Sequence, residues 1–229
     1  MSKKKASAII VAAGKGSRMK ADCPKQFIEV LGKPILYYTL KAFERSGIDE
    51  VVIVTSEEYI EYVKAEIVER YHFKKVDKVV VGGNERYQSV YKGLMELSDS
   101  DYILVHDAAR PFIEVDMINR VIREVEHNEA VIVGVKSKDT IKIVDEDGFV
   151  KMTPNRNYVW NIQTPQAFSY DLLKSAYDIV INENYTCVTD DAMVVEYATK
   201  QHIKVIEGSY SNIKITTIED LKVEYFQGL

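Results

Sequence analysis

An acid and a cation stand together in Asp107, Ala108, Ala109 and Arg110, directly after the apolar run Tyr102 to His106. At the carboxyl end of a buried strand, such a pair is placed to handle a ligand. Asp107 suits a divalent metal, directly or through its water, because magnesium takes oxygen ligands and keeps several waters. The plainer alternative is that Asp107 and Arg110 pair with each other and cap the following helix. His106 reads as a buried strand residue and not as a base.

A second group follows the first apolar run: Ala12, Ala13, Gly14, Lys15, Gly16, Ser17, Arg18 and Met19. Two glycines two apart let the backbone approach a bound group closely, so that amide N–H groups point at phosphates. Lys15, Arg18 and the nearby Lys25, held by Pro24, supply positive charge. The loop is neither a dinucleotide fingerprint, since Met19 replaces the third glycine, nor a Walker loop, which ends in Gly-Lys-Ser/Thr. A tight turn followed by solvated cations is the alternative. Gly82, Gly83, Asn84, Glu85 and Arg86 form another glycine turn after a strand, with Ser89 one helical turn past Glu85. Lys214 reads as part of a short strand, Asn212 to Thr216, serving as an edge-strand charge or a phosphate contact. Thr189 reads as a helix cap with Asp190 and Asp191 in the first turn. Spacing gives Arg156 and Thr164 no role. The sequence carries no Ser/His/Asp order, Cys–His pairing or zinc spacing. Cations plus a metal suit nucleotidyl transfer, where positioning and charge stabilisation do most of the catalysis.

The elements that must position these groups are legible. Apolar runs at Ala6–Ala13, Val51–Thr55, Val76–Val81, Tyr102–His106, Ala130–Val135 and Ile203–Ile206 predict buried strands. Helical spacing lies between them: Pro34–Arg45, with proline at the first helical position; Ile60, Val63 and Ile67; Tyr87 to Leu94, with Asn84 as cap; Val115–Val125; and Leu172–Ile181. Strand–helix alternation implies an α/β class: a Rossmann-like, doubly wound, mostly parallel sheet. Residues 139–153 break the rhythm, alternating around Asp147-Gly148 as a hairpin does. A protruding hairpin with an apolar edge suggests an arm that pairs with a second subunit; packing on its own domain is the alternative.

The 229 residues, with 46% hydrophobic and 28% charged, are expected to form one domain, 1–229, with the arm at about 137–158. The net charge of -5 argues against a nucleic-acid surface. No stretch reaches the roughly 18 apolar residues of a membrane helix. The first apolar run is too short for a signal peptide, and Cys23 and Cys187 read as reduced thiols, so a cytoplasmic location is expected.

Taken in order, AAGKGSRM, CPKQF, GGNERYQSV, VHDAARPF, KDTIK, NIQTPQAF, VTDDA and NIKITTIEDL resemble the 2-C-methyl-D-erythritol 4-phosphate cytidylyltransferase family, from Ala12 to Leu221. The resemblance implies a nucleotide-diphospho-sugar transferase fold in the non-mevalonate isoprenoid pathway. It implies CTP as co-substrate, magnesium or another divalent cation as cofactor, a sugar-alcohol phosphate as acceptor, and a homodimer. By motif, Ala12, Ala13 and the Gly14–Met19 loop, with Gly16 and Ser17 contributing backbone, would wrap the nucleotide. Arg18 and Lys25 would stabilise charge at the α-phosphate. Ala13, Gly83, Asn84 and Ser89 would hold cytosine and ribose. Asp107 would sit near the metal and the substrate hydroxyls, beside Ala108 and Arg110. Lys214 would meet the phosphates and, with Arg156, orient the sugar phosphate, with Thr140, Thr164 and Thr189 adding contacts. Thr140 and Arg156 would come from the partner's arm. A ribitol 5-phosphate cytidylyltransferase shares the phosphate-loop, VHDAARP and TPQ blocks in outline, whereas WNIQTPQAF and VTDDA favour the methylerythritol family. A CTP-binding regulator that has lost catalysis is the other alternative, and it should lack one of Arg18, Lys25, Asp107 or Lys214; all four are present.

Overall fold

Strand β1 (Ala6–Ala12) is apolar on both sides, and the fold uses both. Its odd and even residues feed two separate cores, since successive strand side chains point to opposite faces. The computed structural model describes residues 4–14, 23–97, 99–227 and 229. After β1 come β2 (Glu29–Val30), β3 (Lys33–Pro34), α1 (Ile35–Arg45) and β4 (Glu50–Thr55). Next are α2 (Ile60–Tyr62), which continues into a π-wound turn at Val63–Glu69, β5 (Val76–Val81), α3 (Arg86–Leu94), β6 (Tyr102–Asp107) and α4 (Val115–Asn128). The second half holds β7 (Ala130–Lys136), β8 (Ile143–Val144), β9 (Val150–Met152), β10 (Trp160–Ser169), α5 (Tyr170–Asn182), α6 (Asp191–Ala198), β11 (Lys204–Glu207) and α7 (Val223–Phe226).

Seven strands form one sheet in the order β11-β7-β10-β6-β1-β4-β5. β1 pairs in parallel with β4 and β6, β4 with β5, and β11 with β7, as the strand–helix alternation predicts. The exception is β10, which runs antiparallel between β6 and β7. One face carries Leu36, Leu40 and Phe43 of α1 with Ile118, Val121 and Val125 of α4. The other carries Val90 and Leu94 of α3, Leu173, Tyr177 and Val180 of α5, and Val194 and Val195 of α6. Helices therefore cover both faces of a mostly parallel sheet.

Three local expectations are corrected. Pro34 is the residue before α1, not its first helical residue. Glu85, not Asn84, precedes α3, in a capping box with Gln88 that satisfies donors at both ends of the first turn. The segment 212–216 is not a strand: it is tied down by the Ile215 N–H donating to the Ala109 carbonyl (2.8 Å).

The predicted hairpin is present as a separate two-stranded sheet of β8 and β9. Gly148, at φ 86°, supplies the left-handed residue of its turn. Ile143, Val144, Phe149, Val150 and Met152 are all exposed there, Phe149 by 73%. No helix among the described residues is long and apolar enough to cross a membrane.

Candidate active site

The carboxyl ends of β1, β4, β5 and β6 lie level, because the register sets Ala12 beside Thr55, Thr55 beside Val81, and Val11 beside Asp107. They open into a cleft of about 770 Å³. Ligands of open α/β sheets bind in this position. Ala13 and Gly14 leave β1 into the cleft, and Gly82 and Gly83 leave β5. A Cβ on Gly82 would lie 2.7 Å from the Ala13 Cβ, and one on Gly83 would lie 2.4 Å from the Gln88 Cβ. Only glycine lets this turn seat so close to β1 and α3. Ser89 locks the turn: its Oγ accepts from the Gly83 N–H (3.0 Å) and donates to the Glu85 carbonyl (3.1 Å).

Asp107 is the electrostatic centre. Its Oδ2 accepts from Lys214 Nζ at 2.7 Å, with Arg110 Nε at 3.9 Å, and its Oδ1 accepts from Arg86 Nε at 3.3 Å. Burial alone would raise its carboxyl, but Arg86, Lys214 and Arg110 more than offset that and hold it well below the usual carboxylate range. Asp107 is thus ionised at neutral pH. Among the described residues, no three of His, Cys, Asp and Glu converge to hold a metal ion. A metal at Asp107 would take its other ligands from phosphate oxygens and water, as magnesium does.

Lys214 and Lys25 reach the cleft from opposite ends of the sequence. Lys25 Nζ donates to the Ile215 carbonyl at 2.7 Å, which joins the two lysines' segments. Ile215 is itself buried with Val30, Ile35, Tyr38, Phe112 and Phe226, so a small third core anchors Lys214. Gln26 donates from Nε2 to the carbonyls of Ala12 and Gly14, fixing where the chain leaves β1.

The other expected residues divide. Asn84 and Ala108 line the cleft with Ala13, Gly83, Ser89, Lys25, Asp107 and Lys214. Ala12 is buried at the end of β1. Arg110 does not line the cleft; it donates from Nη1 to the Asn212 carbonyl at 2.8 Å. Of the plainer alternative, the pairing with Asp107 is present only as the 3.9 Å contact, and the capping does not occur, because Glu114 is the residue that precedes α4. Thr164 is buried, and its Oγ1 accepts from the Asp107 N–H at 3.0 Å. Thr140 and Arg156 are exposed on the arm segment, away from the cleft lining. Thr189 is not the cap of α6; Asp190 is, accepting from the Met193 N–H at 2.9 Å. Lys15, Gly16, Ser17, Arg18 and Met19 lie outside the described residues.

Sequence reasoning missed Arg86, Gln26 and Asp191. Arg86 lines the cleft and is bidentate on Asp191 (3.1 and 2.7 Å). Asp191 is a first-turn acid of α6, as expected, but it is fully buried. The signal was spacing: Asp191 shares a helix face with Val194 and Val195, three and four residues on, and Arg86 shares one with Ser89 and Val90. A charge on a buried face demands a partner.

The family described as IspD, 2-C-methyl-D-erythritol 4-phosphate cytidylyltransferase, matches residues 6–226. The cytidylyltransferase of that name from Lachnoclostridium phytofermentans is 52% identical over 217 residues, covering 95% of this chain and 93% of that protein. That from Clostridium botulinum (strain ATCC 19397 / Type A) is 50% identical over 219 residues, covering 95% of this chain and 94% of its own. The crystal structure of 4-diphosphocytidyl-2C-methyl-D-erythritol synthase from Anaerococcus prevotii superposes with a TM-score of 0.87 at 40% identity, covering 98% of this chain and 96% of that one. The structure of the Francisella tularensis cytidylyltransferase gives 0.80 at 31%, covering 98% and 100%. Matched along nearly its whole length in both sequence and fold, the chain belongs to the 2-C-methyl-D-erythritol 4-phosphate cytidylyltransferase family of nucleotidyltransferases.

Proposed function

We propose that this chain joins CTP to 2-C-methyl-D-erythritol 4-phosphate, giving 4-diphosphocytidyl-2-C-methyl-D-erythritol and pyrophosphate. Family membership supports the reaction. The observation that carries it to this cleft is the convergence of Lys25, Lys214 and the ionised Asp107 at glycine-walled strand ends. An oxygen of the sugar-alcohol phosphate attacks the α-phosphorus in line. The bond from that phosphorus to the oxygen bridging the β-phosphate breaks, and pyrophosphate leaves on the opposite side. The attacking oxygen is already largely deprotonated at neutral pH, a phosphate's second pKa being about 6. No general base is required, which agrees with a buried, uncharged His106.

The residues divide the work by charge and shape. The backbone of Ala12, Ala13, Gly14, Gly16, Ser17 and Met19 wraps the triphosphate, while Arg18 and Lys25 stabilise charge at the α-phosphate. Ala13, Gly83, Asn84 and Ser89 hold base and ribose. Lys214 meets the phosphates; Asp107, with Ala108 and Arg110 beside it, faces the substrate hydroxyls, and Thr189 adds a contact, while the buried Thr164 serves the site by holding the Asp107 backbone. A carboxylate has about four lone-pair sites, and Lys214 and Arg86 use two on Asp107. The donor set therefore fits magnesium or another divalent cation, which when bound would neutralise phosphate charge beside Asp107. Thr140 and Arg156, exposed here on an apolar arm, fit a homodimer in which each reaches the partner's site. Residues 1–229 then act as one nucleotidyltransferase domain with an arm at 137–158, in the cytoplasm, with no nucleic-acid or membrane partner.

Pyrophosphate release with CTP and either sugar phosphate tests the reading, alongside calorimetric CTP binding. Methylerythritol phosphate is expected to be the faster acceptor. Faster turnover of ribitol 5-phosphate would overturn the substrate assignment, and CTP binding without product from either would point to a regulator.

A further inference from the structure

Asp191 lies 0% exposed at the first turn of α6, where Asp190 already supplies the cap. Local structure gives it nothing to do. A buried carboxylate is costly unless paired and hydrogen-bonded, and this one is fully engaged. Tyr177 of α5 donates its hydroxyl to Oδ1 at 2.6 Å, and Arg86 holds both oxygens through Nη1 and Nη2. Burial and the Asp191 charge push the Tyr177 phenol well above its ordinary range, so it stays a donor. The capping box at Glu85 and Gln88 fixes the turn from which Arg86 projects.

What remains of Arg86 faces the cleft. With both Nη groups occupied by Asp191, Asp107 receives only Nε, at the longer distance of 3.3 Å. A guanidinium prefers a two-pronged grip on a carboxylate. Released from Asp191, Arg86 could take that grip on Asp107 and cover both oxygens. Held by Asp191, it steadies Oδ1 of Asp107 through Nε alone and leaves Oδ2 to Lys214, at the cleft edge where a ligand would meet it.

We infer that Arg86 is a positioning residue and that Asp191, braced by Tyr177, restrains its fork so that Asp107 stays presented to the acceptor substrate. The inference rests on the cytidylyltransferase reading above. It assigns a task to three side chains, from α3, α5 and α6, that meet only in the folded chain.

The test uses D191N, which keeps the shape but weakens the grip on Arg86, Y177F, which removes one brace, and R86K, which keeps the charge but loses the fork. Each is assayed for kcat and KM with methylerythritol phosphate, for CTP Kd by calorimetry, and for thermal midpoint. Loss of supporting contacts around a functional group costs about 10- to 100-fold, so D191N and R86K are expected to lower kcat/KM for the acceptor in that range. CTP Kd should stay within about twofold in the same variants. Y177F should move the acceptor parameter in the same direction by less. Acceptor use and CTP affinity falling together would mark a merely structural role and overturn the inference, as would unchanged acceptor kinetics. If D191N does not fold, Y177F and R86K read the same split. Turnover by the unaltered protein is measured first: its absence would sink the parent reading and this inference together, whereas acceptor kcat/KM left at the unaltered protein's value in the variants sinks this inference alone.

Discussion

Two carbonyl-and-hydroxyl contacts dictate the state of His106. Its Nε2 lies 3.2 Å from the Arg110 carbonyl and its Nδ1 3.1 Å from the Thr164 hydroxyl. A carbonyl only accepts, so Nε2 carries the hydrogen and Nδ1 accepts from Thr164, which in turn accepts from the Asp107 N–H. One neutral tautomer completes the chain, and it orients the backbone beneath Asp107. Burial pushes the imidazole down to about 4; Arg110 and Lys214 reinforce this, while the Arg110 carbonyl and Asp107 oppose it. The unfolded chain binds this proton near pH 6.5 and the folded chain not until about 4. Stability is therefore full above the unfolded value and falls as pH drops through that window. The loss approaches about 3 kcal/mol at the acid end. Urea midpoints of the unaltered chain and H106N, taken between pH 7 and 4.5, should diverge in slope; parallel curves would refute the assignment. Reading His106 as a buried strand residue from its apolar neighbours was right, but its partners were not visible, because Thr164 lies 58 residues away.

Helix α3 carries Arg86 and Ser89, and its closeness to the sheet depends on Gly93. A Cβ there would lie 2.8 Å from Ile9 Cγ2 and Val54 Cγ2. Alanine gains about 1 kcal/mol of helix propensity over glycine, but overpacking a core costs about 1–3 kcal/mol. Packing is expected to win, so G93A should lower the urea midpoint and weaken CTP binding by tilting α3. A variant as stable as the parent would show that the sheet gives way instead. At this scale the parallel strands were legible as short apolar runs. β10 was not, because Asn161, Gln163, Thr164 and Gln166 break any run or alternation. Their polarity is absorbed inside: Gln166 donates to Asp190 at 2.8 Å and accepts from the Ala192 N–H at 2.9 Å. The Arg86–Asp191 pair escaped for a related reason. Its members stand 105 residues apart and only the strand order brings α3 and α6 together.

Across the whole molecule, the net charge of -5 does not describe the cleft, where Lys25, Arg86 and Lys214 stand against Glu57, Glu85 and Asp107. The arm is the other departure from an ordinary surface, with Phe149 and Tyr158 exposed by 73% and 83%. Exposed apolar side chains of that kind fit a protein contact. Light scattering is expected to find a dimer. F149D combined with V150D should yield monomers that still bind CTP but turn over acceptor at least about tenfold more slowly, as expected of a site missing its supporting residues. Dimers that persist, or monomers of full activity, would remove the arm from the site.

The antiparallel strand in the middle of the sheet also sets an order of events. During synthesis, β7 emerges at residues 130–136, but both of its neighbours, β10 and β11, follow it in the chain. The strands before it, β1, β4, β5 and β6, can pair among themselves as soon as they are made. β7 must wait with two bare edges until residues 160–169 arrive and insert between it and β6. Until residues 160–169 have left the ribosome the chain thus presents an apolar strand edge, and the stage most exposed to mispairing or chaperone capture lies between the emergence of residue 136 and that of residue 160.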